Sequence, residues 1–310
     1  MHFAFTPDQE ALRTEARRWL DERYPPERVA ELADSETGWD PASWAELAEL
    51  GWLGVSVAED EGGAGLGFLE EAVLFEELGR ALYPGPYFST VALALPLLGA
   101  EERAAVAAGA TRWSAQVDGL VSDLAIVDRV LAAGGPVAAD GESVETMDAT
   151  RRLGRLATSA GDAAIDRPRV RAALALEAVG IAQRALDWGV QHAKERQQFG
   201  KAIGVYQAVS HSLVDAFMAT ELSRSLAYWA AWCVAEDDEQ APTAAAAAKA
   251  YAAEAAVSAC ERSIQVHGGI GFTWEHPLHR YYKRAQWIQA FDGFPARQRA
   301  EIAAALVGSK

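Results

Sequence analysis

The sequence is poor in features that mark several classes of protein. It has two cysteines, Cys233 and Cys260, and no CxxC pair, so neither a disulfide framework nor a cysteine-based metal centre is expected. The net charge of −16 argues against binding to nucleic acid. No uncharged apolar run reaches the roughly 18 residues of a membrane span. The first residues lack the basic and apolar regions of a signal peptide, and a cytoplasmic location is therefore expected.

The remaining composition favours a large helical protein. Half of the 310 residues are hydrophobic, which excludes a disordered chain and provides enough apolar side chains for one to three domains. Residues 1–112 predict an N-terminal helical domain. Residues 6–9 have the pattern of a capping box followed by proline at the first helical position. Further helices are predicted after Pro41 and from Phe68.

The pattern changes twice along the rest of the chain. Residues 113–168 contain short apolar runs between turn signals such as Asp140-Gly141, which predicts a small middle β-domain. Residues 169–310 return to helical spacing and predict a C-terminal four-helix bundle. Its predicted helices lie near 169–196, 205–236, 242–266 and 283–308. The fold expected from these regions is mainly α.

Two segments of the C-terminal region have the composition of ligand-binding turns. In residues 195–203, Arg196 lies close to an aromatic residue and a glycine, a combination that can bind a phosphate and stack on a ring. In residues 265–272, three glycines among four residues allow a ligand close to the backbone. Each segment also fits an ordinary helix end, with Gly200 as the cap in the first and a helix stop in the second.

A third segment, 282–294, ends in the dipeptide Asp292-Gly293 inside an apolar stretch. A carboxylate in such surroundings loses hydration and can act as a base. The same dipeptide is common in simple turns, and this alternative remains open from the local sequence.

Taken together, the three segments resemble the acyl-CoA dehydrogenase family. The similarity covers most of the chain, and its order and spacing make it specific. The similar segments are Arg196-Gln-Gln-Phe-Gly-Lys-Ala-Ile with Gln207, Gln265–Gly271, Tyr282–Phe294, Leu50–Val57, Gly62–Gly65 and Glu76–Arg80.

The resemblance implies a fold and a reaction. The fold has an N-terminal helical domain, a middle β-domain and a C-terminal four-helix bundle. The reaction is the α,β-desaturation of an acyl-CoA thioester with FAD as cofactor and an electron-transfer flavoprotein as the usual acceptor. The implied residues facing the adenosine end of an FAD held mainly by a neighbouring subunit are Arg196, Phe199, Gln207, Gln265, Gly268 and Gly269. No metal is implied, although His267, His276 and His279 lie around the glycine turn.

The sequence departs from the family pattern in two ways. The middle region is much shorter than usual and lacks the segments that hold the isoalloxazine ring. The catalytic position carries Asp292 instead of glutamate, which is one methylene longer. A displacement of about 1 Å can lower the rate on the order of 100-fold. The base position of some relatives falls near Val170, which is no acid, and Glu177 further on is expected to make a packing or partner contact.

These departures suggest one subunit of a heteromeric enzyme. The chain would lend its flavin-facing residues to the FAD of a full-length partner in an α2β2 assembly, as in family members that act on bulky steroid thioesters. The alternatives are a self-sufficient homo-oligomer that uses Asp292 as its base, a family-fold enzyme of non-redox function, and a scaffold without ligand.

Overall fold

Capping residues and prolines set the starts of the N-terminal helices. A computed structural model describes residues 4–158 and 160–308. The hydroxyl of Thr6 accepts from the Gln9 amide at 3.2 Å, and the Gln9 side chain accepts from the Thr6 amide at 3.0 Å, which confirms the predicted capping box. The helices are α1 (Pro7–Arg23), α2 (Pro26–Asp34), α3 (Pro41–Glu49), α4 (Phe68–Ala81) and α5 (Ala100–Ala107), with a π-helical segment at Phe88–Ala94.

The middle of the chain forms a small curled sheet, as the short apolar runs between turn signals predict. Its strands are β1 (Trp113–Val117), β2 (Leu120–Ser122), β3 (Arg129–Ala132), β4 (Gly135–Ala138), β5 (Gly141–Val144) and β6 (Leu153–Leu156). Their order is β4-β3-β1-β2-β6-β5. Strands β1 and β3 are parallel, with Ser114 opposite Val130, and the other neighbours are antiparallel. A separate apolar cluster around Val121 and Val130 supports the outer part of this sheet.

The C-terminal region is a helical domain. Its helices are α6 (Arg167–Glu195), α7 (Gln207–Ala235), α8 (Ala241–His267), α9 (Leu278–Ala290) and α10 (Pro295–Val307). The first three agree with the predicted helices, but the single helix predicted over 283–308 is wrong. The chain breaks there because Asp292 and Gly293 have φ angles of 52° and 87°, which no α-helix contains. Pro295 then starts α10.

The N-terminal and C-terminal helices meet where α4 crosses α6 in direct backbone contact. A Cβ added to Gly180 would lie 2.0 Å from the Glu76 carbonyl oxygen, and one added to Gly79 would lie 2.3 Å from that of Glu177. Only glycine fits at these two positions of the crossing. The close contact that the glycines allow places α6 in the main core of the molecule. No helix in residues 4–158 or 160–308 is long and apolar enough to cross a bilayer.

Candidate functional site

A short hairpin between α6 and α7 presents the first group of predicted site residues. Strands β7 (Gln197–Gln198) and β8 (Lys201–Ala202) pair in it. The intervening Phe199 and Gly200 have φ angles of 53° and 74°, as in a type I′ turn. The Phe199 side chain is 91% exposed. Gly200 therefore belongs to a hairpin turn, and its interpretation as the cap of α6 is wrong.

The hairpin is tied to both helices that it joins. Ile203 donates its amide to the Arg196 carbonyl oxygen at 2.9 Å, and the Tyr206 hydroxyl donates to the Gln198 carbonyl oxygen at 3.2 Å. Arg196 and Gln207 lie exposed on either side of these contacts. Within the described part of the chain, the Arg196 guanidinium takes part in no ion pair. It is therefore free to bind an anion such as a phosphate.

The second group lies where α8 ends in a glycine turn, residues 268–272. Gly268 has φ 64° and ψ −139°, a conformation suited to glycine. A Cβ added at Gly268 or Gly269 would meet no atom within 4 Å, so open space adjoins the backbone there. Gln265 is exposed in the last turn of α8. Gly271 instead packs inward, because a Cβ there would lie 2.7 Å from the Ile264 carbonyl oxygen.

A pair of histidines brings the two groups together. The ring of His192, near the end of α6, stacks on the ring of His267, at the end of α8, with 4.3 Å between centroids. The hairpin and the glycine turn therefore lie at the same end of the helical domain. The exposed residues of this surface are those that the resemblance predicts to face FAD, and for that predicted role we call them the flavin half-site: Arg196, Phe199, Gln207, Gln265, Gly268 and Gly269.

Asp292 lies elsewhere, in the buried break between α9 and α10. Its side chain is fully buried and carries two ion pairs: Arg171 Nε lies 2.6 Å from Oδ2, and Arg167 Nε lies 3.1 Å from Oδ1. Arg171 also binds Glu301 at 2.5 Å. The Gln298 amide donates to the Asp292 carbonyl oxygen at 2.9 Å. Both carboxylate oxygens are therefore engaged by protein cations.

A buried lysine that sequence reasoning did not single out supports the same break. Lys249 of α8 is completely buried, and its ammonium donates to the Gly293 carbonyl oxygen at 2.7 Å. Burial lowers the pKa of Lys249 to about 8. Its only sequence signal is a lone cation within the alanine-rich stretch of α8, which by itself does not identify a partner 44 residues away.

Aromatic side chains pack together beside Asp292. Phe88, Trp287 and Phe291 pack together with centroid separations of 4.8–5.8 Å. The guanidinium of Arg151 lies 4.5 Å from the Phe88 ring and makes two hydrogen bonds of 2.6 Å with Glu177. Glu177 thus makes a buried packing contact, as predicted.

The remaining cavity has a volume of about 150 Å³. Pockets for small-molecule ligands usually measure roughly 300–1,000 Å³. The cavity is bounded by the sheet on one side and by Trp287, Phe291 and Asp292 on the other. We call it, with its aromatic walls, the Asp292 pocket.

Comparisons with known proteins identify relatives over nearly the whole chain. The profile described as "Acyl-CoA dehydrogenase, N-terminal domain" matches residues 6–105, and "Acyl-CoA dehydrogenase, C-terminal domain" matches residues 168–307. The acyl-CoA dehydrogenase IpdE2 of Mycolicibacterium smegmatis is 32% identical, and the match covers 96% of this chain and 98% of the relative.

Two solved structures are similar in fold and sequence. The ChsE4–ChsE5 complex from Mycobacterium tuberculosis has a TM-score of 0.87 at 25% identity, and the match covers 100% of both chains. A structure titled "Tcur3481-Tcur3483 steroid ACAD G363A variant" has a TM-score of 0.86 at 28% identity, and the match covers 97% of this chain and 98% of the other.

Proposed function

The chain belongs to the acyl-CoA dehydrogenase family, and from that premise we propose that it is one subunit of a heteromeric enzyme. Its class is that of the FAD-dependent acyl-CoA dehydrogenases, oxidoreductases that introduce an α,β double bond into an acyl-CoA thioester. In the proposal, this subunit contributes the flavin half-site to an FAD held mainly by a full-length partner in an α2β2 assembly. The partner supplies the catalytic carboxylate.

The contrast between the half-site and the Asp292 pocket carries this proposal. The half-site side chains are exposed, and the glycine backbone adjoins open space. Asp292 has both oxygens in ion pairs, and the stacked rings of Trp287 and Phe291 border the same small cavity. The flavin half-site is therefore accessible to a ligand, whereas the Asp292 carboxylate is buried and paired.

The residues present fit one end of FAD. The Arg196 guanidinium suits the pyrophosphate, the exposed Phe199 ring offers a stacking surface, and Gly268 and Gly269 admit close backbone approach. The cavity of about 150 Å³ beside Asp292 is too small for the three-ring isoalloxazine together with an acyl group. When bound there, FAD would supply the acceptor for the β-hydrogen as hydride, and a carboxylate would take the α-proton.

An exposed apolar row on α7 supports a partner on the same side. Val214, Phe217, Met218 and Leu222 are each about half-exposed and share one helix face. The row begins two turns after Gln207, and it is therefore continuous with the flavin half-site. Such a row is typical of a subunit interface.

The similar structures supply the remaining parts of the proposal. Of the two solved relatives, one is titled a complex and the other carries the word "steroid". We therefore assign a bulky acyl-CoA of steroid origin as the substrate class. An electron-transfer flavoprotein as acceptor and a cytoplasmic location complete the proposal.

Co-expression with the acyl-CoA dehydrogenase encoded beside its gene tests the proposal. We expect the chain alone to purify without flavin absorbance, and the co-purified complex to carry one FAD per pair of different subunits and to be active. A flavin-loaded, active homo-oligomer of this chain alone would overturn the proposal.

That outcome would favour the second candidate, a self-sufficient enzyme with Asp292 as base. The observation behind it is that Asp292 borders the cavity at the family's catalytic position. The variant Asp292→Asn in the folded complex separates the two candidates. We expect unchanged kcat if the partner holds the base, and a loss on the order of 100-fold or more if Asp292 is the base.

A further inference from the structure

Three imidazole rings are stacked beside the glycine turn. His192 of α6 lies 4.3 Å from His267 of α8, and His267 lies 4.4 Å from His276, which precedes α9. Trp188 closes the stack edge-on to His276 at 5.7 Å. Among the described residues, no group of histidine, cysteine or acidic side chains is arranged to hold a metal. The planes of His192 and His267 are 28° apart, as in a stacked pair, and those of His267 and His276 are tilted by 55°.

The hydrogen bonds of the stack favour different protonation states for its members. His267 Nδ1 donates to the Ser263 carbonyl oxygen at 2.8 Å. His276 Nδ1 accepts from the Leu278 amide, the first of α9, at 3.3 Å. A proton on His276 Nδ1 would remove that acceptor, and the cation would lie at the positive end of the α9 dipole. His192 and His267 lie in the last turns of their helices, where a cation is favoured.

Neighbouring charges also oppose a second imidazolium in the stack. Burial and the adjacent His267 lower the pKa of His192, with Arg196 acting in the same direction and Glu195 against it. Burial, followed by the other histidines including His279, lowers the pKa of His276 to about 4. With rings little more than 4 Å apart, two imidazolium ions repel each other strongly.

The stack is joined directly to the glycine turn. Gly268 follows His267 in the chain, and a Cβ at Gly271 would lie 3.1 Å from the His267 Cβ. We propose that His192, His267 and His276 are positioning residues that hold the glycine turn in its flavin-facing conformation only while at most one of the three rings is a positively charged imidazolium. The flavin-facing role rests on the proposed function. The holding of the turn rests on the contacts above.

The direction of the pH effect follows from the lowered pKa of His276 in the ordered stack. Histidines in a disordered turn protonate near their ordinary pKa of about 6.5, whereas His276 in the ordered stack stays neutral down to about 4. Lower pH therefore favours the disordered turn. The ordering is complete above about pH 6.5 and is lost as the pH falls towards 4.

Hydrogen exchange on the chain alone tests the holding of the turn without any flavin. The protection of the amides of residues 268–273, corrected for intrinsic exchange, is compared at pH 7.5 and 5.0. We expect about a 30-fold loss in the natural chain and a smaller loss in His276→Gln. The control His211→Gln, whose histidine is exposed on α7, should show the natural loss. A pH-independent turn, or the natural pH dependence in His276→Gln, would overturn the proposal.

Imidazole titration by NMR gives a second measurement that does not depend on the stability of one variant. Replacement of His267 by glutamine removes a neighbour that lowers the pKa values of both His192 and His276, so we expect both pKa values to rise. Unchanged pKa values in both rings would contradict coupling within the stack.

The co-purified complex then separates this inference from the proposed function. We expect FAD to be released more readily at pH 5.0 than at 7.5, with a smaller difference in His276→Gln than in His211→Gln. Equal release at both pH values in all proteins would overturn the inference while leaving the proposed function intact. A complex that binds no FAD, with the expected exchange behaviour in the chain alone, would overturn only the proposed function.

Discussion

The flavin half-site and the Asp292 pocket differ in what surrounds their polar groups. The half-site carries Arg196 without an ion pair within the described chain and a Phe199 ring that is 91% exposed. The Asp292 pocket has its carboxylate between two arginines, and a buried lysine donates to the next residue. An unpaired exposed group is available to a ligand, whereas a buried ion pair is part of the fold because the removal of one partner leaves an uncompensated charge. The comparison therefore separates an exposed surface with unpaired groups, which we propose to bind FAD, from a paired and buried interior.

The buried pair Arg151–Glu177 provides the strongest test of the interior. The variant Glu177→Gln leaves a buried guanidinium without its carboxylate, and we expect the free energy of unfolding to fall by about 3–5 kcal/mol. Urea denaturation measures this loss. The control Asp187→Asn removes an exposed acid from the same helix, and we expect a change within about 0.5 kcal/mol. Equal effects of the two variants would contradict the structural role of the pair.

Asp123 tests the cost of a buried acid at neutral pH. Burial raises its pKa to about 6, so the folded state binds a proton more strongly than the unfolded state does. This contribution to stability is present below the unfolded pKa of about 4 and is lost as the pH rises through 6. We expect Asp123→Asn to stabilise the chain by up to about 3 kcal/mol at pH 8 and to give no gain below pH 4.

The control for Asp123 is Asp118→Asn, since Asp118 is exposed and also has a positive φ, 49° against 60° for Asp123. We expect no pH-dependent gain from the control. Thermal denaturation at pH 4 and pH 8 checks both variants, and a gain that is equal at the two pH values would contradict the assignment.

Arg196 tests the flavin half-site, where we expect a change in FAD affinity and little change in stability. We expect Arg196→Ala to weaken FAD binding by the complex on the order of 10- to 100-fold, because a charged hydrogen bond contributes about 1.5–3 kcal/mol. The stability of the chain should change by less than about 0.5 kcal/mol. Flavin fluorescence titration measures the affinity. Lys194→Ala, an exposed cation on the preceding turn of α6, should leave the affinity unchanged if position rather than charge is decisive.

Phe199 gives the smallest expected effect, in which stability rises while FAD binding weakens. A phenylalanine at φ 53° is strained, whereas asparagine is favoured at this position of a type I′ turn. We expect Phe199→Asn to stabilise the chain by up to about 1 kcal/mol and to weaken FAD binding several-fold by loss of the ring. Phe199→Leu keeps the strain and removes the ring, so it should weaken binding without stabilising the chain.

Local sequence patterns predicted the elements well where the cause of structure is local. The capping box at Thr6, the helices α6 to α8 and the presence of strands between the helical regions all follow from spacing and turn chemistry. The prediction of one helix over 283–308 failed because the apolar spacing continues across Asp292-Gly293. Asp292 and Gly293 form a turn that ends the helix although the apolar spacing continues.

The sequence by itself determined the family and the helix starts, and it predicted the residues of the proposed flavin half-site. These depend on neighbours in the chain and on side chains that remain exposed. Only the tertiary structure decided what surrounds Asp292, because Arg171 and Asp292 are 121 residues apart in the chain. It likewise decided that His192, His267 and His276 form one stack. Burial and charge pairing depend on which distant segments pack together, and no local pattern encodes that.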